Sequence, residues 1–260
     1  MNDTTLGITY IGGPTALLEL AGARLLTDPT LDPAGGEYPS GAARLRKLAG
    51  PSVQPDDLGA VDAVLLSHDR HPDNLDAAGR AFLARVPVVL TTPDAAERLG
   101  GNAVGLAPWK TYDLATASGR TMRVVATPCR HGPAGMDRGP VVGFLLQPSD
   151  DPMRAVYFSG DTVWYEGVAE VWQRFAPRVA VLNLGAARVP EVGPFHLTMT
   201  AEEAVEAARA FAPAAIVPLH FEGWAHFSEG RGAIEQAFAH ARMQDRLRWP
   251  EPGRRIEIAV

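Results

Sequence analysis

Apolar residues fill the first thirty positions in three short blocks, LGITYIGG (6–13), TALLELAG (15–22) and ARLLTDPTL (23–31), separated by Gly-rich breaks. Blocks of that length at that spacing predict three strands joined as hairpins. Residues 32–57 lose the pattern: Gly and Pro are dense and no period persists, so the segment reads as a long loop carrying a helical turn. From residue 61 short apolar runs alternate with stretches of helical spacing, in VDAVLLS, DAAGRAFLARV, VPVVLTT, PDAAERLG and AVGLA. A second strand-rich block follows in RTMRVVATP, VVGFLLQ and RAVYFSGD. After it come YEGVAEVWQRFA, RVAVLNLG, TAEEAVEAARAFA, AIVPLHF and RGAIEQAFAHARM, the last with the spacing of a helix that buries one face. Two strand-rich halves flanked by helices predict an α/β protein, two sheets face to face with helices outside, as one domain over residues 1–260.

Composition changes this picture little. At 46% hydrophobic and 21% charged residues the chain is expected to fold throughout. A net charge of -6 leaves no basic stripe for phosphate backbones, so nucleic acid is not an expected partner. The single cysteine, Cys129, has no disulfide partner within the chain. The start MNDTTLGITY lacks the regions of a signal peptide, and no apolar stretch approaches the roughly 20 residues that span a bilayer. A cytoplasmic protein without an integral membrane segment is expected, with a homo-oligomer left open.

The chemistry gathers in five polar clusters, each placed after an apolar run: SHDRHPDN, RHGP, SGDTVWYEG, GPFHLTM and LHFEGWAHF. A lone histidine at a strand end is usually structural, but these clusters carry six of the chain's seven histidines. Imidazole nitrogens and carboxylate oxygens suit zinc, and also manganese or iron. His68, His71, Asp73, His131, Asp161 and His220 offer ligands enough for one or two ions. Such an ion lowers the pKa of bound water to about 7 and so supplies hydroxide at neutral pH, which makes hydrolysis the natural chemistry.

Taken together the clusters resemble the metallo-β-lactamase superfamily, in the branch similar to ascorbate-6-phosphate lactonase and N-acylphosphatidylethanolamine phospholipase D. The resemblance covers nearly the whole chain and implies a four-layer αββα sandwich with a metal centre at one edge of the sheets. It also implies a metal-dependent hydrolase acting on a small-molecule lactone, ester or phosphodiester. His68 matches the opening histidine of the family's His-x-His-x-Asp-His motif. His131 in PCRHGP matches the isolated histidine, Asp161 in FSGDT the bridging aspartate and His220 in VPLHF the last histidine. His196, which opens HLTMTAEEA just before a helix, resembles the branch's substrate-contacting or proton-donating histidine, and Asp73 joins it as a catalytic candidate.

The first motif departs from the family pattern. Aligned from its left end, Arg70 stands where the second histidine belongs; aligned from its right end, His71-x-Asp73 fits and one extra residue follows His68. Asn74 replaces the last histidine in either case. An arginine has no lone pair to give, and a guanidinium about 4 Å from a divalent ion is repelled by roughly 8 kcal/mol at an effective dielectric near 20. Either Arg70 turns away and His71 takes the ligand role, or a metal position is empty. The second case motivates an alternative function, a metal-poor site where Arg70 and Asn74 serve an anionic ligand or a non-hydrolytic step. A non-catalytic scaffold is the third reading.

The remaining candidates each have two readings. Arg70, Trp164, Arg188 and Trp224 are substrate-binding candidates, against solvation for the arginines and core packing for the tryptophans; Tyr165 and His226 share the even balance of their neighbours. Asp28 supports a ligand histidine or makes a turn beside Pro29. Asp73 and Asn74 also fit as caps of a helix beginning near Leu75, with Asp76 complementing its dipole. Asp69 reads as surface or as support for a ligand, His240 as surface and Cys129 as packing.

Overall fold

A computed structural model describes residues 4–260 of the chain; residues 1–3, part of the segment read as lacking a leader, lie outside the described residues. The three opening blocks form β1 (Thr5–Gly12), β2 (Thr15–Leu20) and β3 (Ala23–Thr27), paired antiparallel as the hairpin spacing predicts. The segment read as a loop instead holds a small hairpin, β4 (Glu37–Ser40) and β5 (Ala43–Arg46). Strand β4 buries no residue fully and carries Pro39, and β5 buries only alternate residues, which is why the hairpin leaves so faint a pattern.

The alternating block gives β6 (Ala63–Leu65), α1 (Ala77–Phe82), β7 (Val89–Thr91), α2 (Pro93–Leu99) and β8 (Ala103–Gly105). Then come β9 (Thr111–Ala115), β10 (Thr121–Pro128), β11 (Val142–Pro148) and β12 (Val156–Phe158). The last third is α3 (Glu166–Phe175), β13 (Val179–Asn183), α4 (Ala201–Ala210), β14 (Ala215–Leu219), α5 (Arg231–His240) and β15 (Arg255–Ala259). The boundaries have local causes. Thr92 accepts from Ala95 N and is followed by Pro93 at the start of α2, while Thr200 and Glu203 form a reciprocal capping box at α4.

The strands make two mixed sheets, a seven-stranded one in the order β15-β1-β2-β3-β6-β7-β8 and a six-stranded one in the order β14-β13-β12-β11-β10-β9. Successive side chains point to opposite faces, so each central strand feeds two cores. Leu18, Leu25 and Leu65 meet Val124, Phe144, Phe158 and Val181 between the sheets. Leu17, Leu26 and Val64 turn outward onto Phe82 and Leu83 of the α1 region. On the other side Leu145, Tyr157 and Ile216 pack under Val168, Ala204, Val205 and Phe238 of α3, α4 and α5. This is the expected αββα sandwich.

Strands β3 and β6 run parallel in one sheet, and β12, β13 and β14 run parallel in the other. Strand β10 is antiparallel to β11, which is antiparallel to β12, so β10 shares the direction of β12. The C-terminal ends of β6, β10, β12 and β14 therefore deliver the loops carrying His68, His131, Asp161 and His220. Loops at those ends are where open α/β sheets place binding groups.

Candidate metal centre

His68, His71 and His131 present three ring nitrogens to one another at the sheet edge, and Asp73, Asp161 and His220 form a second group beside them. His71 Nδ1 stands 2.8 Å from His68 Nε2 and 3.2 Å from His131 Nε2. His131 Nε2 is 4.0 Å from Asp161 Oδ2, which links the groups. In the second group His220 Nδ1 lies 2.9 Å from Asp161 Oδ1 and His220 Nε2 lies 3.5 Å from Asp73 Oδ2. Asn183 at the end of β13 donates its Nδ2 to Asp161 Oδ1 at 2.8 Å, which fixes that carboxylate.

The backbone at this edge is bent to make room. His220 adopts φ +56° and Asp28 φ +23°, left-handed values that non-glycine residues rarely take and that concentrate at functional sites. Gly160, before Asp161, has φ +58°, and a Cβ there would come within 2.8 Å of Ser67 Cβ and Val142 O. Only glycine lets the Asp161 turn approach the His68 strand end this closely.

The residues fit a divalent ion. His131 Nδ1 lies 2.9 Å from Leu197 O, a carbonyl that can only accept, so its Nδ1 carries the proton and Nε2 keeps a lone pair. The Ser67 hydroxyl donates to Asp28 Oδ2 at 2.8 Å, so at 3.0 Å it accepts from His68 Nδ1 and leaves His68 Nε2 likewise free. Burial, with the neighbouring imidazoles, holds His68 well below the usual histidine range and lowers His71 to about 4; burial also lowers His131. Three neutral imidazoles converging inside the protein are short of a cation. Ligand atoms at about 2.0–2.1 Å from a tetrahedral ion stand about 3.4 Å apart, close to the spacing here. Asp73 Oδ1 and His220 Nε2, both buried, make no hydrogen bond.

The carboxylates complement them. Burial alone would raise Asp73, but the charge and hydrogen bond of His226, with the charge of His220 beside them, outweigh it and hold the carboxyl well below its usual value. Asp161 is held low in the same way, chiefly by His220 against its own burial.

The structure brings His71, not Arg70, to His68 and His131. The Arg70 side chain is half exposed and pairs with Asp94 at 3.0 Å, so the repulsion computed from the sequence is avoided. Asn74 is fully buried and turns its Nδ2 to Asp28 Oδ2 at 3.2 Å. Asp69 is buried and paired with Arg98. Helix α1 starts at Ala77, capped by Asp76 rather than by Asp73 or Asn74.

Asp76 also does more than complement a dipole. It accepts from Leu31 N, Asp32 N and Gly79 N at 2.8 to 2.9 Å and pairs with the buried Lys47 Nζ at 2.7 Å. Lys47 in turn donates to Thr30 O at 2.9 Å, so this pair ties the residues after β5 to the turn after β3. Asp76→Ala leaves that ammonium buried without its partner and is expected to lower stability by about 3 kcal/mol, read from urea unfolding of chelator-treated protein.

A small pocket opens over His71, Asp73 and His131. Its walls are Leu45 of β5, Ala187, Val189, Val192 and Leu197 of the segment after β13, and His226; Ser40 and Arg138 complete them. Arg138 makes no ion pair among the described residues. Sequence reasoning missed it, because nothing in MDRGP separates it from an ordinary surface arginine. It also weighed His226 evenly against packing, although LHFEGWAHF set a second histidine in the same cluster.

Like Arg70, four further candidates are not among the residues forming this wall. Trp164 packs edge-on against Phe211, 6.1 Å between ring centres, under the outer helices. Trp224 is buried against Tyr38 at 5.4 Å, behind the wall. Arg188 is exposed and donates to Pro194 O. His196 is partly exposed and its Nε2 pairs with Glu203 Oε2 at 3.1 Å, while Leu197 beside it faces the cavity. Cys129 is packed against Ser159 O, with burial pushing its thiol well up, as a packing residue would be.

An αββα sandwich that gathers imidazoles and carboxylates beneath an open cavity defines a class, the metal-dependent hydrolases of the metallo-β-lactamase fold. Residues 23–221 match the beta-lactamase superfamily domain, and the chain belongs to that superfamily, within its UPF0173 metal-dependent hydrolase family. It is 31% identical to a UPF0173 metal-dependent hydrolase of Opitutus terrae, with 82% of this chain and 84% of that one covered. The crystal structure of an isothiocyanate hydrolase from Delia radicum gut bacteria superposes with a TM-score of 0.82 at 25% identity, over 98% of this chain and 100% of that one. A possible metal-dependent hydrolase from Veillonella parvula shares the fold, with a TM-score of 0.82 at 21% identity over 97% and 99%. No described helix is long and apolar enough to cross a membrane.

Proposed function

We propose that the chain hydrolyses a small molecule at an electrophilic carbon bearing an apolar substituent, using one or two divalent ions, zinc or alternatively manganese or iron. The carrying observation is the convergence of His68, His71 and His131 beneath a wall of aliphatic side chains. When bound, such an ion polarises the substrate and brings the pKa of water into the neutral range.

The protein's own residues supply the rest. Leu45, Val189, Val192 and Leu197 take the apolar part of the substrate and keep water from that side. Arg138, at the wall beside Ser40 and His71, takes an electron-rich end. Asp73 Oδ1, buried and without a partner, is the acceptor that orients a water in the cavity. His196 reaches the cavity only by leaving Glu203, so the pair serves better to hold the segment before α4 than to move a proton.

Lactones and esters, which the sequence resemblance suggests, meet these demands. So do isothiocyanates, the class named for the structural relative at 25% identity. A phosphodiester asks for more cationic donors than the single Arg138 offers. With Arg70 engaged by Asp94, no observation favours a metal-poor anion site. Elemental analysis of protein purified without chelator, combined with assays on a lactone, a carboxylic ester, an isothiocyanate and a phosphodiester, tests this. Bound transition metal and turnover of at least one of the first three are expected; metal-free protein that turns over substrate would reject it.

A further inference from the structure

The second group, Asp73, Asp161 and His220, has a single imidazole among the ligand candidates, yet a second one stands beside it. His226 Nε2 lies 3.0 Å from Asp73 Oδ2, the same oxygen that His220 Nε2 approaches at 3.5 Å. Asp73 Oδ2 thus has an imidazole nitrogen on either hand, each at about the distance that two ligands of one ion at 2.0–2.2 Å keep from each other. The hydrogen bonding within the group is incomplete as it stands. His220 Nε2, Asp73 Oδ1 and His226 Nδ1 are all buried without a partner, a cost that native interiors avoid unless something else occupies the site.

The loop after β14 holds His226 in place before any ion arrives. Gly223 O accepts from Leu48 N at 2.8 Å, Ala225 N donates to Arg46 O at 3.0 Å, and His226 O accepts from Arg188 N at 2.9 Å. The loop is therefore sewn between β5 and the segment after β13. The His226 ring lies 4.6 Å from that of Phe227, and its side chain is 9% exposed. Asn74, next to Asp73 in the chain, donates its Nδ2 to Asp28 Oδ2 at 3.2 Å.

We infer that His226 is a metal ligand, the second imidazole of a second ion position built with Asp73 and His220, with Asp161 shared between the two positions. This rests on the metal-centre reading above and makes the protein a two-ion site. The test uses chelator-treated full-length protein titrated with zinc in competition with a chromophoric chelator, for wild type, His226→Ala and His226→Gln.

Wild type is expected to take two equivalents. Both variants keep the first with unchanged affinity and lose well over about 100-fold in affinity for the second, beyond the roughly 10–100-fold that an outer hydrogen-bond partner accounts for. The retained first equivalent shows in the same titration that the variants fold. The glutamine amide can still donate to Asp73 Oδ2, so retention of the second equivalent in His226→Gln would reduce His226 to a positioning residue and overturn the inference. Unchanged binding in His226→Ala, or a single equivalent in wild type, would overturn it too. Wild-type protein that binds no zinc would instead bring down the metal-centre reading itself.

Discussion

Asp161→Ala protein is expected to show no hydrolysis above background and to bind zinc at least about 100-fold more weakly than wild type. The residue is the link between the two groups: one oxygen is fixed by Asn183 and His220, and the other faces His131 at 4.0 Å. Its removal takes negative charge from among four imidazoles that must share a cation. Wild-type turnover in this variant, assayed with added zinc on any substrate found active, would reject its role. A pH profile of the metal-free protein provides a second reading. Burial would lower His220, but the charge and hydrogen bond of Asp161, with Asp73 behind them, push it up to about 10. A histidine raised in the folded state gives stability that is whole below pH about 6.5 and is lost as pH rises toward 10. Urea unfolding of chelator-treated wild type is therefore expected to show that loss between pH 7 and 10, and Asp161→Ala to show much less of it. Zinc should flatten the wild-type slope, because a coordinating imidazole has already given up its proton.

The parts of this molecule legible in its sequence are those where burial acts on a whole element. Strands β1, β2 and β3 and the later apolar runs sit between two cores, so nearly every residue is apolar and the blocks stand out. The hairpin β4–β5 escaped notice because it is half exposed, and β9 and β15 because exposed residues alternate along both. The first motif shows the limit more sharply. Spacing alone left Arg70 and His71 as rivals, and the decision came from tertiary facts: Asp94 on α2 draws the guanidinium outward, and His131, sixty residues on, places its nitrogen against His71. Asp76 was read as a local helix residue because its partner Lys47 lies in the stretch read as a loop. The aromatic candidates went to packing: Trp224 is buried, and Trp164 is partly buried with its ring edge-on against Phe211, where a large apolar ring gains more than on a wet wall.

Asp28→Ala is the other substitution expected to have a large effect, although Asp28 touches none of the candidate ligands. It is fully buried, and its carboxylate accepts from Ser67 N at 2.6 Å, from Ser67 Oγ at 2.8 Å and from Asn74 Nδ2 at 3.2 Å. Burial and the charge of Asp161 push it up to about 7. The bond from Ser67 Oγ decides which nitrogen of His68 carries the proton. With Asp28 present the hydroxyl gives its proton away and must accept from His68 Nδ1, so the Nε2 lone pair faces His71. With alanine the hydroxyl is free to donate to Nδ1 instead, and the tautomer that leaves a proton on Nε2 becomes available. A ligand histidine that loses its supporting partner typically weakens metal binding by about 10–100-fold. Ser67 N and Asn74 Nδ2, both buried, also lose their acceptor, at roughly 1–3 kcal/mol each, so chelator-treated Asp28→Ala is expected to unfold at clearly lower urea than wild type. The two effects separate in Ser67→Ala, which removes the hydroxyl relay but leaves the Asp28 bond to the Ser67 backbone. That variant should lose metal affinity with a smaller loss of stability. If Asp28→Ala is destabilised while both variants bind zinc as tightly as wild type, the carboxylate holds only the fold together and does not set His68.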